Sequence, residues 1–125
     1  MKREPIMKVP GPDHPITITA NPKRIVITVG GKVVADSTRT LTLVEASIPP
    51  VHYIPRSDVD MNALRRTDHT TYCPYKGDCS YFSISESGPA GANAVWSYEA
   101  PYPAVDKIKD HLAFYPSKVD SIVES

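Results

Sequence analysis

The residues best placed to do chemistry lie in one stretch, TTYCPYKGDCSYFSI, residues 70–84, where Cys73, Lys76 and Cys79 crowd a short turn. The cysteine spacing is C-x5-C, which fits neither the C-x2-C of zinc sites nor that of thioredoxin-type redox pairs. A structural zinc needs four ligands, and the histidines at positions 52 and 69 stand alone in separate segments, so no metal is expected. A cross-strand disulfide would suit an oxidising compartment, which the chain does not suggest. Cys73 on its own is a candidate nucleophile. Lys76 lies across the turn, an ammonium stabilises a thiolate, and His69 or His52 could serve as the base. The competing reading is an ordinary packed thiol.

Lys76 beside Gly77 also suits an anionic ligand, against the simpler reading of a solvated turn lysine. Tyr53, Tyr72, Tyr81, Trp96 and Tyr98 fall in neighbouring candidate strands, and amphipathic rings often line small pockets; packing in the core is the alternative. Thr71 joins them from the strand before the turn. Arg24, Ser37, Glu45 and Asp58 are the polar candidates. Lys76 or Arg24 would hold an anionic group, and Glu45 or Asp58 would act as general base if chemistry occurs. Asp58-x-Asp60 has the spacing of a metal-binding carboxylate pair, but Ser57 ahead of it reads as a helix cap, with Asp60 in the capping-box position. Gly30-Gly31 lacks the GK[ST] element of a phosphate loop.

These residues need strands to position them. RIVITVGGKVVADS places two β-branched runs about Gly30-Gly31, which suits a type I′ hairpin turn with positive φ at both central residues. That register sets Val29 against Lys32, Ile27 against Val34 and Arg24 against Ser37, with Asp36 on the other face. Both faces are apolar in the middle, so both are expected to be covered. Ile16–Thr19 and VHYIP are further strand candidates, and Thr38–Ser47 reads as a strand ending near Glu45, with a helix as the alternative. TTYC and CSYFSIS form a second hairpin about PYKGD, and NAVWSYEAP returns as another strand. A short helix is expected after Ser57, burying Val59, Leu64 and Met61. A second follows Pro103, where Val105, Ile108 and Leu112 form an apolar stripe and His111 ends the last turn. FYPSKVDSIV ends in an edge strand. About seven strands and two short helices make a mainly β domain with a minor α+β character.

The 125 residues suit an irregular arm over 1–15 and one β-rich domain over 16–125. Fourteen Lys and Arg balance fourteen Asp and Glu, without the basic stripe that nucleic acid requires. Thirteen prolines and six glycines imply many turns. MKREPIMKVPGPDHP starts charged, but prolines and a lysine interrupt the apolar run of a secretory signal. No stretch reaches the roughly 18 apolar residues of a membrane span. A cytoplasmic protein without nucleic-acid or membrane partners is therefore expected.

RIVITVGGKVVADSTRTLTLVE, PPVHYIPRSDVDM, TTYCPYKGDCSYFSI and AVWSYEAPYPAVDKIKDHLAFYPSKVD together, from Arg24 to Val119, resemble the family called domain of unknown function 427. The resemblance implies an Mss4-like β-tent of coiled antiparallel sheets with little helix, and no known activity or cofactor. Its pattern matches here at Arg24, Asp36-Ser37, Glu45, Tyr53, Pro55, Asp58-Val59, Thr71, Cys73-Pro74, Lys76-Gly77, Tyr81, Trp96, Tyr98 and Phe114. It implies a small residue, often alanine, where this chain has Cys79, which speaks against any site needing two cysteines. The paired C-x2-C zinc motifs of Mss4 itself are absent. The nucleotidyltransferase-like label that the family carries has no support in these residues.

The expected function is binding of a small, anionic metabolite in a polar-aromatic pocket, with an enzymatic step left open. The alternatives are a Cys73-dependent hydrolase or transferase, and a non-catalytic interaction module such as a homodimer.

Overall fold

A computed structural model describes residues 6–125. Among the described residues, ten strands form three antiparallel sheets. The first sheet has the order β1 (Ile16–Ala20), β4 (Leu41–Glu45), β5 (Val51–Tyr53). The second has β10 (Ser121–Glu124), β2 (Ile25–Val29), β3 (Lys32–Ser37). The third, with four strands, has β6 (Leu64–Cys73), β7 (Gly77–Ile84), β8 (Val95–Ser97), β9 (Leu112–Phe114). Reciprocal backbone hydrogen bonds of 2.8 Å between Ile54 and Leu112 join the end of β5 to β9 and so couple the first sheet to the third. No helix among the described residues is long and apolar enough to cross a membrane.

The four-stranded sheet explains where the core lies. Side chains alternate between its faces, and both faces are covered. Phe82 and Ile84 of β7, Val95 of β8, and Leu112 and Phe114 of β9 join one apolar cluster with Ile25, Ile27, Val29 and Ala35 of the second sheet. Cys79 and Tyr81 of β7 and Ala113 of β9 face the other way. There they meet Leu43 and Tyr53 of the first sheet, together with Tyr98, Val105 and Ile108. The same alternation turns Leu43 and Glu45 of β4 inward while Val44 is exposed.

The Gly30-Gly31 turn is present, with φ of 58° and 78°. The register beyond it differs from the ideal hairpin. A β-bulge between Ile27 and Thr28 makes Thr28 oppose Val33 and Ile27 oppose Ala35, leaving Val34 as the extra residue. Ser37 therefore faces Ile25, and Ala35 and Ser37 move to the buried face of Ile25 and Ile27. Arg24 consequently pairs with Asp36, Nε to Oδ1 at 2.8 Å and an Nη to Oδ2 at 2.6 Å, rather than lying beside Ser37. The opposite face is only partly covered, since Val33 is exposed and Val26 and Thr28 are half-buried.

The two expected helices take 3-10 form. Arg56–Asp58 and Met61–Ala63 are one-turn pieces, and Pro103–Ile108 is kinked at Val105. Spacing i, i+3 buries a stripe in a 3-10 turn as well as in an α-helix, so Val105 and Ile108 are both fully buried. Asp110, at φ 60°, then redirects the chain so that Leu112 enters β9 as a strand residue. His111 thus lies beyond the helical segment, its Nδ1 3.0 Å from the Lys109 carbonyl oxygen. Ser57 caps nothing: Pro55 and Asp60 hold the cap positions, and the Asp60 carboxylate accepts from the Asn62 N–H. Of the arm, residues 1–5 lie outside the described residues. The rest crosses the β6–β7 hairpin, with Lys8 N–H donating to the Pro74 carbonyl at 2.8 Å and Tyr72 Oη donating to the Ile6 carbonyl at 2.5 Å.

Candidate functional site

Between the inner face of the first sheet and the second-cluster face of the third lies a hollow of about 320 Å³. β4 contributes Leu43 and Glu45. β5 contributes Val51 and Tyr53, placed beside them by the pairings Leu43 with Val51 and Leu41 with Tyr53. Tyr81 and Trp96 come from directly opposed positions of β7 and β8. On the far side of Trp96 its opposed residue is Ala113, fully buried in the same cluster as Tyr53, Tyr81 and Tyr98. Tyr98, Tyr115, Ile48 and Pro49 complete the rim. Four of the seven tyrosines and the single tryptophan of the chain thus line one depression.

At one end sits an ion pair. Lys76 Nζ donates to Glu45 Oε1, and His14 Nε2 lies 2.7 Å from Glu45 Oε2. Glu45 is only 7 % exposed and Lys76 8 %. The ammonium also lies 5.8 Å from the centre of the Tyr98 ring. Lys76 is held by its turn: its N–H donates to the Cys73 carbonyl at 3.2 Å, and its own carbonyl accepts from Tyr102 N–H at 3.0 Å. Gly77 follows at φ 103°, a conformation that favours glycine. His14 is fixed by stacking on Tyr75 at 4.0 Å. Burial pushes the Glu45 carboxyl upward, but the hydrogen bonds from Lys76 and His14 outweigh it and hold the group below its ordinary value. Desolvation raises the phenols of Tyr53 and Tyr98, and that of Tyr81 to about 12, so these rings present neutral hydroxyls. Trp96 Nε1–H donates to Tyr53 Oη at 3.2 Å, and Tyr81 Oη and Thr71 Oγ1 share a hydrogen bond of 2.9 Å.

Of the residues picked out in the sequence, Glu45, Tyr53, Lys76, Tyr81, Trp96 and Tyr98 therefore meet in the hollow, with Thr71 bonded to its wall. Cys73 packs half-buried behind the same tyrosines and Cys79 is buried. No histidine is bonded to Cys73. His14 is on Glu45, His52 on Thr42 at 3.1 Å, and His69 lies tilted against the Tyr81 ring. The two cysteines are diagonal rather than opposed, since Cys73 faces Gly77 and Cys79 faces Thr71. Diagonal positions stand roughly 7–8 Å apart, too far for an unstrained disulfide. Burial raises the Cys79 thiol, which keeps it protonated. Among the described residues no three His, Cys, Asp or Glu side chains cluster as a metal site would need.

Arg24, Ser37 and Asp58 lie elsewhere. Asp58 Oδ2 accepts from Ser37 Oγ at 2.6 Å, and Arg39 closes on the Asp58 carboxylate at 3.0 Å. Both are structural ties at the open end of the β2–β3 hairpin, which the bulge and the neighbouring 3-10 turn bring together. His14, Tyr115 and Ile48 were not foreseen as site residues. His14 reaches Glu45 because Ile16 of β1 pairs with Glu45, a long-range register invisible in the arm's own residues.

Glu45, Asp36, Asp58 and Glu99 are all held below their ordinary values: Glu45 by Lys76 and His14 against its burial, the other three chiefly by hydrogen bonds from Arg24, Arg39 and Arg66. A depressed folded value stabilises above the unfolded value, and that stability is lost as the pH falls through the folded one. Urea midpoints are accordingly expected to stay level near neutrality and to fall progressively below about pH 5. In Glu45→Gln the fall should be shallower.

A family model described as Domain of unknown function (DUF427) matches residues 17–125. No curated protein matches the chain.

Proposed function

We propose that this chain, which belongs to the family Domain of unknown function (DUF427), binds a small molecule in the hollow between its first and third sheets. One observation carries the reading: a nearly buried ion pair opens onto an otherwise aromatic and apolar depression. A buried ion pair adds little to stability compared with well-packed apolar residues. Its place beside empty space is best explained by a partner that enters. The volume lies at the lower end of ligand pockets, about 300–1,000 Å³, and so suits a small compound.

The wall defines the ligand's chemistry. Ring faces and Leu43, Val51 and Pro49 favour a flat, apolar body. Lys76 carries three N–H groups, of which Glu45 takes one, so donor capacity remains for an acceptor head such as a carboxylate or carbonyl. A cationic ligand would meet the Lys76 ammonium already seated beside Tyr98. An anionic head competes with Glu45 for that ammonium, while His14 holds the other carboxylate oxygen. The Cys73-dependent alternative lacks a base at the thiol and is less favoured.

A thermal-shift screen of small aromatic and aliphatic carboxylates and carbonyl compounds tests this reading. A ligand at one hundred times its Kd stabilises by about 2.7 kcal/mol, or roughly 10 °C in a domain of this size. Ile48, 49 % exposed at the rim, gives the control: Ile48→Phe should occlude the mouth and abolish the shift. An absence of any shift, or one unchanged in Ile48→Phe, would count against the site.

A further inference from the structure

We infer that Lys76 is an amine nucleophile that forms a Schiff base with a carbonyl compound in the hollow, with Glu45 as its proton partner. The inference rests on the binding reading above and adds the reaction that its geometry supports.

Among the described residues Lys76 is the only buried lysine. Its Nζ lines the hollow and has a single side-chain hydrogen-bond partner, the Glu45 carboxylate. That bond is a ready path for the proton that must leave before the nitrogen can attack. Entry of an apolar body removes the remaining water from the pair, and a drier site disfavours the two charges relative to neutral amine and carboxylic acid. The neutral form has the lone pair that attacks. Lysines with this kind of burial are the ones used as Schiff-base formers.

The step balances. Lys76 NH₃⁺ gives one proton to Glu45, and the freed lone pair forms an N–C bond to the carbonyl carbon. The carbonyl π pair moves to oxygen, and a second nitrogen proton passes to that oxygen, giving a neutral carbinolamine. Glu45 returns its proton to the hydroxyl, which leaves as water while the nitrogen lone pair forms the C=N bond. The product is a protonated imine, so the site again holds one cation beside the Glu45 anion. The same Tyr98 ring that lies near the ammonium flanks that cation. His14, on the other Glu45 oxygen, keeps the carboxylate in place and is a positioning residue.

The test uses the full chain with benzaldehyde and cyanoborohydride, followed by peptide mapping. The expected result is faster trapping at Lys76 than at exposed Lys23, Lys32 or Lys107, competition by benzyl alcohol, and loss of the modified peptide in Lys76→Arg. Glu45→Gln keeps the shape and should slow trapping at Lys76 by on the order of a hundredfold without changing the exposed lysines. Trapping at Lys76 no faster than at those surface lysines would overturn the inference, as would an unchanged rate in Glu45→Gln. Saturable benzoate binding with an unreactive Lys76 would overturn the inference and leave the binding reading standing; failure of both benzoate binding and trapping would overturn the two together.

Discussion

Glu45→Leu is expected to destabilise the protein by about 3–5 kcal/mol, and Lys76→Met by only about 2 kcal/mol. The asymmetry follows from His14. Removing the carboxylate leaves the Lys76 ammonium almost out of solvent with no anion beside it, and a buried charge stripped of its partner is costly. Removing the ammonium leaves Glu45 still bonded to His14 at 2.7 Å. The double variant Glu45→Leu/Lys76→Met should recover much of the loss, because apolar replacement of a whole buried pair is often close to neutral. Urea denaturation of the three variants gives the double-mutant cycle directly. Equal single costs, or a double variant as unstable as the sum, would mean that the pair is solvated and that His14 takes no part.

Leu112→Ala is expected to cost about 3 kcal/mol. Leu112 is fully buried in the first cluster and its backbone carries both hydrogen bonds to Ile54. The cavity would open where the first and third sheets are joined, at the backbone pairing with Ile54, the residue after Tyr53 of the hollow's wall. The loss should therefore appear twice: in the urea midpoint, and in a changed emission of Trp96, whose Nε1–H depends on the Tyr53 hydroxyl. A stability loss without any change at Trp96 would mean that the sheet junction does not position the hollow.

Several elements could be read directly because their determinants are local. Gly30-Gly31 specifies its own turn, and the alternation that turns Leu43 and Glu45 inward and Val44 outward reflects a strand with one inward face. Chemistry gathered at Lys76 could be read for the same reason, since a turn presents what it contains. Other features depended on distant partners. The bulge at Ile27/Thr28 makes Val34 the extra residue, and no residue in VGG announces it. The stripe Val105, Ile108, Leu112 fits an α-helix equally well, yet the chain must leave the helical path at Asp110 to supply β9. Arg24, Ser37 and Asp58 carry the right chemistry in the wrong place, at a hairpin end where Ser37 bonds Asp58 and Arg24 pairs with Asp36. His14 is 31 residues from Glu45, and only the pairing of β1 with β4 brings it there. Tyr115 flanks Trp96, with ring centres 4.5 Å apart, a contact that nothing in FYPSKVDSIV announces.

Trp96 is the single tryptophan and lines the hollow, so its fluorescence during a benzoate titration tests the ligand site most directly. A saturable change in emission is expected, with the same Kd as the thermal shift, about tenfold weaker in Lys76→Met through loss of a charge-assisted hydrogen bond, and absent in Ile48→Phe. An emission that does not respond, or one that titrates identically in all three proteins, would show that the space between Tyr53, Tyr98 and the Glu45–Lys76 pair is not where a ligand binds.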